Sequence, residues 1–552
     1  MSTELAADLC KRAEKAFSVR QPWLSLWREV GDNFFPEQAD FDCDPTWGEE
    51  YATHLADDAP IILRRDLANS FAAMLRPRGQ KWFMASVVDE ALMDEEGVAD
   101  WLEMISGTMM RAIYDPKAGF SRASKEADHF FATFGNAVML IEENVSAARL
   151  RFRHFHLKDC AWLENADGDV DTMFRTMKMT ARQMKQKFGK EIHEDVEKAC
   201  KDSSDKEFEV QHVMMPRSDC EYLDGFKAGK KKFPYHSFYV DKQHKHVMRQ
   251  GGSNEFRYVV PRWQTIANSP YALSPATMDA LPAARQIQAM ALTTIEALQK
   301  MVDPPIRATE EAVRGDINMF AGGVTWTDRD WDNQKLGPPL EVFDVARNAV
   351  LGVQALEQAK LGLSNAMFVS KLNIPQTNAK TAYEVQQLVE EYIRAAIPLF
   401  EPLETAYNAP ILNAVFDIML RIPSTRFLET MPEALQGRDI DWSFDNPLQQ
   451  AQERVKFQMF LGTTQAIAAG AQFDQSIVND FDFREATRDA VRGLGVPSGW
   501  IRGKKEADDL VKAQADAAKQ QAELQTIAQA GGAAQMAGDG LASVAQAART
   551  VA

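Results

Sequence analysis

The chain is poor in cysteine and has no long apolar run. Its five cysteines among 552 residues are scattered and form no C-x-x-C pair, which argues against a disulfide framework and a thiolate zinc site. A membrane span needs roughly 18 consecutive apolar residues, and no run approaches that length. Residues 1–17 mix charged and apolar side chains, which excludes a signal-peptide core. We therefore expect reduced thiols and assembly in the cytoplasm.

Basic residues are also fewer than acidic ones, 62 against 79. The formal net charge is −17 and the sequence pI is near 5.2, the opposite of the basic footprint of a protein that grips phosphates tightly. This composition excludes a tight DNA clamp. It remains compatible with an acidic wall along which DNA slides, because such a wall does not hold the phosphates.

The common catalytic motifs are missing. The sequence contains no G-x-x-x-x-G-K-[ST] phosphate loop, no H-E-x-x-H helix and no G-x-S-x-G elbow, so we assign no catalytic or cofactor-binding residue and expect no enzyme. The acidic stretch from Asp167 has Lys178 where a calcium loop requires a bidentate Glu, and it therefore predicts a hairpin turn.

Two H-x-H motifs are the most enzyme-like feature, His154 with His156 and His244 with His246. Alternate positions of a strand put both imidazoles on one face, where they could ligate a metal. The sequence fixes no carboxylate beside either pair, and neighbouring cations such as Lys242 disfavour a metal ion. We predict strand-face histidines and no metal site, and keep a metal-dependent nuclease as an alternative.

The first half of the chain predicts helices followed by a β-rich layer. Apolar residues at helical spacing predict two helices before Pro77, a third from Glu90 to about residue 105, and a fourth through Phe134. Alternation from 150 to 260 predicts strands. Predicted inserts are a polar helix at 180–201, turns at Asp167-Gly168 and Gly251-Gly252, and a hairpin tip at 227–232.

The second half predicts a helix, a proline-bounded insertion and a second helix. The first helix covers 283–301 and stops at Pro304-Pro305, the insertion contains a strand candidate at 324–327, and the second helix runs from 344 to 361. A loop follows over 362–380, then a long helix with a capping box formed by Thr381 and Glu384. Predicted C-terminal helices are 447–469, 485–494 and 504–530, before a Gly/Ala-rich tail.

Several short segments carry a family resemblance. They are 68–83 with its Trp82-Phe83 pair, Phe134-Gly135-Asn136-Ala137-Val138, Ser274-Pro275, Asp279-Ala280-Leu281-Pro282, 297–305 with Pro304-Pro305, Thr381-Ala382-Tyr383-Glu384-Val385, Asn446-Pro447-Leu448 and Gly493-Leu494-Gly495-Val496-Pro497. In these segments and in the order of its elements, nearly the whole chain resembles the portal, or head-to-tail connector, proteins of T7-like short-tailed bacteriophages.

The resemblance implies an α+β, mainly helical portal fold with wing, stem, clip and crown, assembled as a dodecameric ring at one capsid vertex of the virion. The implied boundaries are 1–273 for an N-terminal wing, 274–303 for the first stem helix, 304–341 for the clip, 342–361 for the second stem helix, 362–380 for the tunnel loop, 381–440 for the long wing helix region, and 441–552 for a helical crown or barrel with a mobile tail.

The implied partners are double-stranded DNA in the channel, the terminase motor, tail adaptor or nozzle proteins, and the major capsid and scaffold or internal core proteins, without a membrane. In the tunnel loop, Lys371 would form a ring of positive charge facing phosphates, with Asn365, Ser370 and Asn373 as neutral hydrogen-bond donors. A surface loop at a subunit contact is the alternative for this segment. For the whole chain, another virion ring or scaffold protein is the alternative.

Overall fold

Helices account for most of the regular structure in the computed structural model of this chain. The structure describes residues 3–43, 48, 52–77, 79–87, 89–93, 95, 97–144, 149–226, 232–311, 313, 315–317, 324–342, 349–369, 403–422, 425–444, 447–470, 481–493, 507 and 510–520. Within these ranges, every helix is too short or too polar to cross a membrane.

The helices are α1 Thr3–Phe34, α2 Ala59–Leu75, α3 Glu90–Met93, α4 Val98–Ile113, α5 Phe120–Phe134, α6 Ala181–Phe188, α7 Glu194–Asp202, α8 Arg217–Cys220, α9 Leu281–Val302, α10 Asn333–Leu336, α11 Ala349–Ala366, α12 Ala409–Arg421, α13 Phe427–Thr430, α14 Pro447–Gly470 and α15 Phe483–Gly493. Proline lies in the first turn of α2, α9 and α12, where its missing amide N–H has no helical partner to lose. Ala276–Ala280 and Glu404–Asn408 are π-helical turns that lead into α9 and α12.

The strands are β1 Phe83–Val87, β2 Val138–Asn144, β3 Arg149–Phe155, β4 Cys160–Glu164, β5 Val170–Thr180, β6 Glu207–Pro216, β7 Tyr235–Asp241, β8 His246–Ser253, β9 Tyr258–Val259, β10 Gln264–Ile266, β11 Ser269–Leu273, β12 Ile306–Ala308, β13 Leu340–Val342 and β14 Ile440–Phe444. A five-stranded sheet has the order β4-β5-β6-β7-β8, and a three-stranded sheet has the order β3-β2-β9. Three two-stranded sheets pair β1 with β14, β10 with β11, and β12 with β13. Each of these pairings is antiparallel.

The chain divides into two compact units. The first consists of Met1–Trp82, Thr108–Arg426 and Asn446–Leu448, and the second of Phe83–Gly107, Phe427–Asp445 and Gln449–Ala552. In the second unit, the β1–β14 pair is fixed by Ser106, whose Oγ accepts a 2.8 Å hydrogen bond from the Ala85 amide.

The five-stranded sheet of the first unit is covered on both faces. On one face, Leu5, Leu9 and Ala13 recur every four residues along α1 and pack against Phe174 and Phe238, as expected for one apolar stripe of a helix. On the other face, α6 and α7 contribute a second buried cluster that includes Met184, Phe188, Val196, Phe208 and Tyr239. Because strand side chains alternate between faces, β6 and β7 supply both clusters.

The predicted order of helices and strands is largely confirmed, with two predicted helices each divided in two. The helix expected from Glu90 is divided into α3 and α4, and Gly97 between them has a φ of 79° that few other residues tolerate. The polar helix expected over 180–201 is divided at Gly189, where φ is 63°, and His193 caps the second part.

Two other local predictions are wrong. Gly251 and Gly252 lie inside β8, not in a turn. A side chain at Gly252 would collide with the Phe233 ring, so these glycines provide close packing within the strand. Residues 324–327 form no strand. The β-bridge described in this stretch is an isolated one between Thr327 and Val313.

The predicted turn at Asp167-Gly168 is confirmed between β4 and β5. Gly168 has a φ of 90°, and the Asn165 side chain closes the turn by accepting hydrogen bonds from the amides of Asp167 and Asp169 at 2.9 and 2.8 Å. The predictions for 227–231, for the helix that begins at Thr381 and for the tail after Gly531 lie outside the described residues.

Candidate functional site

Helices α9 and α11 pack against each other and form, with the insertion between them, the part of the molecule that the sequence singled out. Both helices were predicted, and α9 extends over Leu281–Val302. At about 1.5 Å per residue its length is roughly 33 Å. The chain leaves α9 through β12 and returns to α11 through β13. These two strands are antiparallel, and Ile306 lies opposite Val342. We call this unit the α9–α11 hairpin.

One end of the α9–α11 hairpin is fixed to the body of the first unit. Gln288 Oε1 accepts hydrogen bonds from the amides of Ala56 and Asp57 at 2.7 and 3.0 Å, and its Nε2 donates to the Asp57 carbonyl at 2.8 Å. On the other helix, Lys360 Nζ lies 2.7 Å from the Asp57 carboxylate. The segment around Asp57 therefore holds both helices, and Arg285 adds an ion pair with Glu29.

The rest of the hairpin presents apolar side chains to solvent. In the first half of α9, Leu281, Ala284, Ile287 and Ala291 are buried. Large apolar side chains that are exposed in the single chain are Leu292, Ile295, Leu298, Met301 and Val302 on α9 and Leu351, Val353 and Leu361 on α11. Exposed apolar groups concentrated in one region are typical of an interaction surface.

The insertion is held by local contacts. Arg307 and Glu341 form an ion pair across β12 and β13, and Trp331 Nε1 donates a 2.9 Å hydrogen bond to the Gly337 carbonyl. Trp326 leaves 72% of its surface exposed. The insertion thus has an exposed aromatic side chain, the residue type that commonly anchors protein interfaces.

The proposed channel residues are only partly described. Asn365 is an exposed residue of α11, and Ser370, Lys371 and Asn373 lie outside the described residues. The predicted loop start at Gly362 is wrong, because α11 continues to Ala366. Glycine inside a helix costs about 1 kcal/mol, whereas burying a leucine contributes about 1.5–3 kcal/mol.

The last turn of α11 contains the buried side chains of Leu363 and, just after it, Met367. Their burial outweighs the cost of Gly362 within the helix. The chain leaves the helix at Phe368, whose φ is 58°. The loop therefore begins later than the sequence indicated, and Asn365 lies in the last turn of the helix.

The first H-x-H pair is part of the core. His154 and His156 both contact the Phe130 ring, at centroid distances of 4.5 and 5.1 Å, which confirms that they share a face. His156 Nδ1 accepts from the Lys158 amide at 3.1 Å, and its Nε2 lies 3.2 Å from the Gln38 carbonyl. Burial lowers the pKa of His154 to about 3 and that of His156 to about 4. Both rings act as neutral packing groups.

The second pair has a different environment. His244 Nδ1 donates a 2.7 Å hydrogen bond to buried Asp241, and its Nε2 lies 3.8 Å from Asp195 Oδ2. His193 stacks on His244 at 4.3 Å. His193, Asp195 and His244 are the described residues that come close enough together to hold a metal ion. The buried cluster that α7 shares with β6, β7 and β8 brings His193 and Asp195 beside His244, which no local sequence signal indicated.

The side chains of this second cluster already have hydrogen-bond or ion-pair partners within the protein. His193 Nδ1 accepts the Asp195 amide at 3.3 Å as the cap of α7, and Lys198 Nζ lies 3.3 Å from Asp195 Oδ1. His246 Nε2 lies 3.1 Å from the Glu191 carbonyl. Each side chain has a structural partner, so we assign no metal ligand here.

Comparison with known proteins finds a matching family and two similar phage proteins that agree with one another. Residues 6–501 match the family described as "Bacteriophage head to tail connecting protein". The "Probable portal protein" of Bordetella phage BPP-1 is 26% identical over 461 residues, which cover 81% of this chain and 80% of that protein. The "Portal protein" of Salmonella phage epsilon15 is 24% identical over 486 residues, covering 87% and 85%.

Among solved structures, a chain from the "Virion of native gene transfer agent (GTA) particle" aligns with 77% of this chain and 91% of its own length. It is 12% identical, and the TM-score is 0.33. This structural likeness is too low to inform the fold, so the family match and the two phage relatives carry the comparison.

Proposed function

Because the chain belongs to the family of bacteriophage head-to-tail connecting proteins and has a portal function, we propose that its copies form a closed dodecameric ring that conducts double-stranded DNA at one vertex of the capsid. The observation that supports this proposal is the exposed apolar surface of the α9–α11 hairpin. Copies arranged around a central axis would bury these side chains against neighbouring hairpins, and each buried leucine would contribute about 1.5–3 kcal/mol.

The proposed roles follow the order of the chain. Helices α9 and α11 of the hairpin form the stem, and its insertion, residues 304–341, forms a clip that docks the terminase motor during filling and the tail adaptor afterwards. The wing, 1–273 with 381–440, faces capsid and scaffold or internal core proteins, and 441–552 forms the crown. The protein assembles in the host cytoplasm and acts passively, without catalysis.

Within this ring, the last turn of α11 and the segment after it contact the DNA. Asn365, Ser370 and Asn373 supply neutral hydrogen-bonding groups, and Lys371 supplies positive charge. The net charge of −17 per chain supports weak, sliding contact, because an acidic wall does not retain phosphates.

The mass and symmetry of the purified full chain test the ring. We expect native mass spectrometry to give an assembly of about twelve copies, and electron-microscope class averages to show a central hole. A monomer or dimer at micromolar concentration, or a closed assembly without a hole, would contradict the proposal and favour the scaffold alternative.

A further inference from the structure

A basic pocket lies between β3, β5 and α6 and has no role in the function proposed above. Its volume is about 550 Å³. The lining includes five cationic side chains, those of Arg151, Arg153, Arg175, Lys178 and Lys187, and two carboxylates, Glu142 and Asp159. The pocket is therefore cationic in a chain whose net charge is −17.

Arg175 is the unusual member of this group. Its side chain is on β5 and only 2% of the residue is exposed. Its guanidinium lies 3.7 Å from the centroid of the Phe155 ring, and Nη2 makes a 3.5 Å contact with Met177 Sδ. Nε is buried without a hydrogen-bond partner. In the described part of the chain, no carboxylate forms an ion pair with Arg175.

A buried cation without an anion is costly. Removing one member of a buried ion pair strongly destabilises a protein, because the remaining charge has neither water nor a partner. The cation–π contact with the Phe155 ring offsets part of such a cost. Burial disfavours the charge of Arg175, but Tyr258, Tyr239, Cys160 and Glu142 raise its pKa overall. The guanidinium is therefore charged and, among the described residues, lacks only an anion in direct contact.

The Glu142 carboxylate lines the pocket but contacts other groups directly. Glu142 accepts a 2.9 Å hydrogen bond from Arg153 Nη2 and a 3.0 Å hydrogen bond from the Tyr239 hydroxyl. Burial alone would raise the pKa of Glu142, but Lys187, Arg153, the hydrogen bond from Tyr239 and the more weakly acting Arg175 together lower it below its ordinary value. The pocket thus stabilises negative charge strongly, and Glu142 is already engaged by Arg153.

Lys187 closes another side of the pocket. Its Nζ lies 4.2 Å from the centroid of the Tyr239 ring. Burial, together with repulsion from Arg153 and Arg175 and against the opposing attraction of Glu142, lowers the pKa of Lys187 to about 8. An added anion would relieve the repulsion among these three cations.

We propose that this pocket binds an oxyanion through Arg175, with Lys187 and Arg153 as additional cations. The planar guanidinium suits carboxylate and phosphate oxygens, which it can bind in a bidentate way. Two sources supply this chemistry: free phosphate from solution, or an acidic side chain of a second copy of the chain. The second source rests on the ring proposed above, and the first does not.

The test compares the full-length protein with Arg175→Leu, which keeps an apolar side chain over Phe155 and removes the charge. The matched control is Arg122→Leu, because Arg122 is exposed and pairs with Glu126 on the surface of α5. Lys187→Met is a second pocket variant that leaves Arg175 in place. Thermal unfolding without added anion establishes that each variant folds.

In the first arm, inorganic phosphate is titrated against each protein at constant ionic strength. A free-phosphate site predicts saturable binding and a rise in Tm for the parent protein and Arg122→Leu, with at least tenfold weaker binding in both pocket variants. In the second arm, native mass spectrometry follows ring dissociation with rising salt. A site filled by a second copy predicts that rings of the pocket variants dissociate at lower salt than rings of Arg122→Leu.

The two arms separate the outcomes. Phosphate binding that depends on Arg175 identifies the free anion, and Arg175-dependent ring stability without phosphate binding identifies the neighbouring copy. If the pocket variants match Arg122→Leu in both arms, the oxyanion site is wrong even though the ring stands. If the parent protein forms no ring and binds no phosphate, both the ring and the pocket proposal fail.

Discussion

Arg76, Asp128 and Asn408 bring together three segments that are far apart in the sequence. Arg76 follows α2, Asp128 belongs to α5, and Asn408 ends the π-helical turn before α12. The Arg76 guanidinium forms a buried ion pair with Asp128, donates a 3.3 Å hydrogen bond to Asn408 Oδ1 and lies 4.7 Å from the centroid of the Tyr407 ring. Arg76 therefore couples the packing of all three segments.

Replacing Asp128 by Ala tests this coupling. We expect the variant to lose about 3–5 kcal/mol of unfolding free energy, because Arg76 would remain buried without its counter-ion. Urea unfolding of the purified chain measures the loss. The control is Glu126→Ala, which removes the exposed partner of Arg122, and we expect little change there. Equal stability of the two variants would contradict a structural role for the buried pair.

The histidines of the two H-x-H motifs show which properties of single residues could be predicted from the sequence. The H-x-H spacing correctly placed His154 and His156 on one face, since alternation is a local property of a strand. It did not show that Phe130 covers both rings, or that Asp195 approaches His244. Those contacts depend on how distant segments pack, and no short motif encodes them.

At the level of elements, helices were predicted well where prolines mark their ends. Pro282 lies in the first turn of α9, and the helix ends just before Pro304. The wrong predictions lie at glycines, because a glycine can occur in a turn, in a strand or in a helix. Gly189 divides a predicted helix, Gly252 packs inside a strand, and Gly362 is accommodated within α11. The neighbours of each glycine decide its role, and the sequence alone does not reveal them.

The exposed side chains of the α9–α11 hairpin provide a prediction for this element. We expect the double variant Leu292→Gln and Leu298→Gln to fold with nearly unchanged stability, because both residues are exposed in the single chain. Ring assembly should weaken by at least tenfold in concentration, since two apolar groups would leave the contact between copies. Analytical ultracentrifugation measures the assembled fraction.

Val19→Gln is the matched control for that experiment, because Val19 is an exposed apolar residue of another helix, α1. It should assemble like the parent protein. If the hairpin variant assembles as well as Val19→Gln, the apolar surface of the hairpin does not join copies, and the stem role would need another basis.

For the whole molecule, the resemblance of several short segments to portal proteins indicated the class of function, and composition served to argue against other classes. A net charge of −17 and the absence of the common catalytic motifs argued against a clamp and against an enzyme, and the family match agrees with a portal. The number of copies in the ring, by contrast, depends on the angle between neighbouring subunits. That angle is a property of the assembly, so neither composition nor periodicity predicts it.

Lys371 provides the prediction at this largest scale. One lysine per chain becomes a ring of positive charge only when the copies assemble around DNA, so its effect should appear in DNA handling and not in the isolated protein. We expect Lys371→Ala to assemble into rings of unchanged mass and to give fewer heads that retain packaged DNA. Lys15→Ala, a charge change at an exposed position of α1, serves as the control in the same packaging assay. Equal yields of DNA-filled heads from both variants would show that Lys371 does not face the DNA, and the segment after α11 would then be better explained as a contact between subunits.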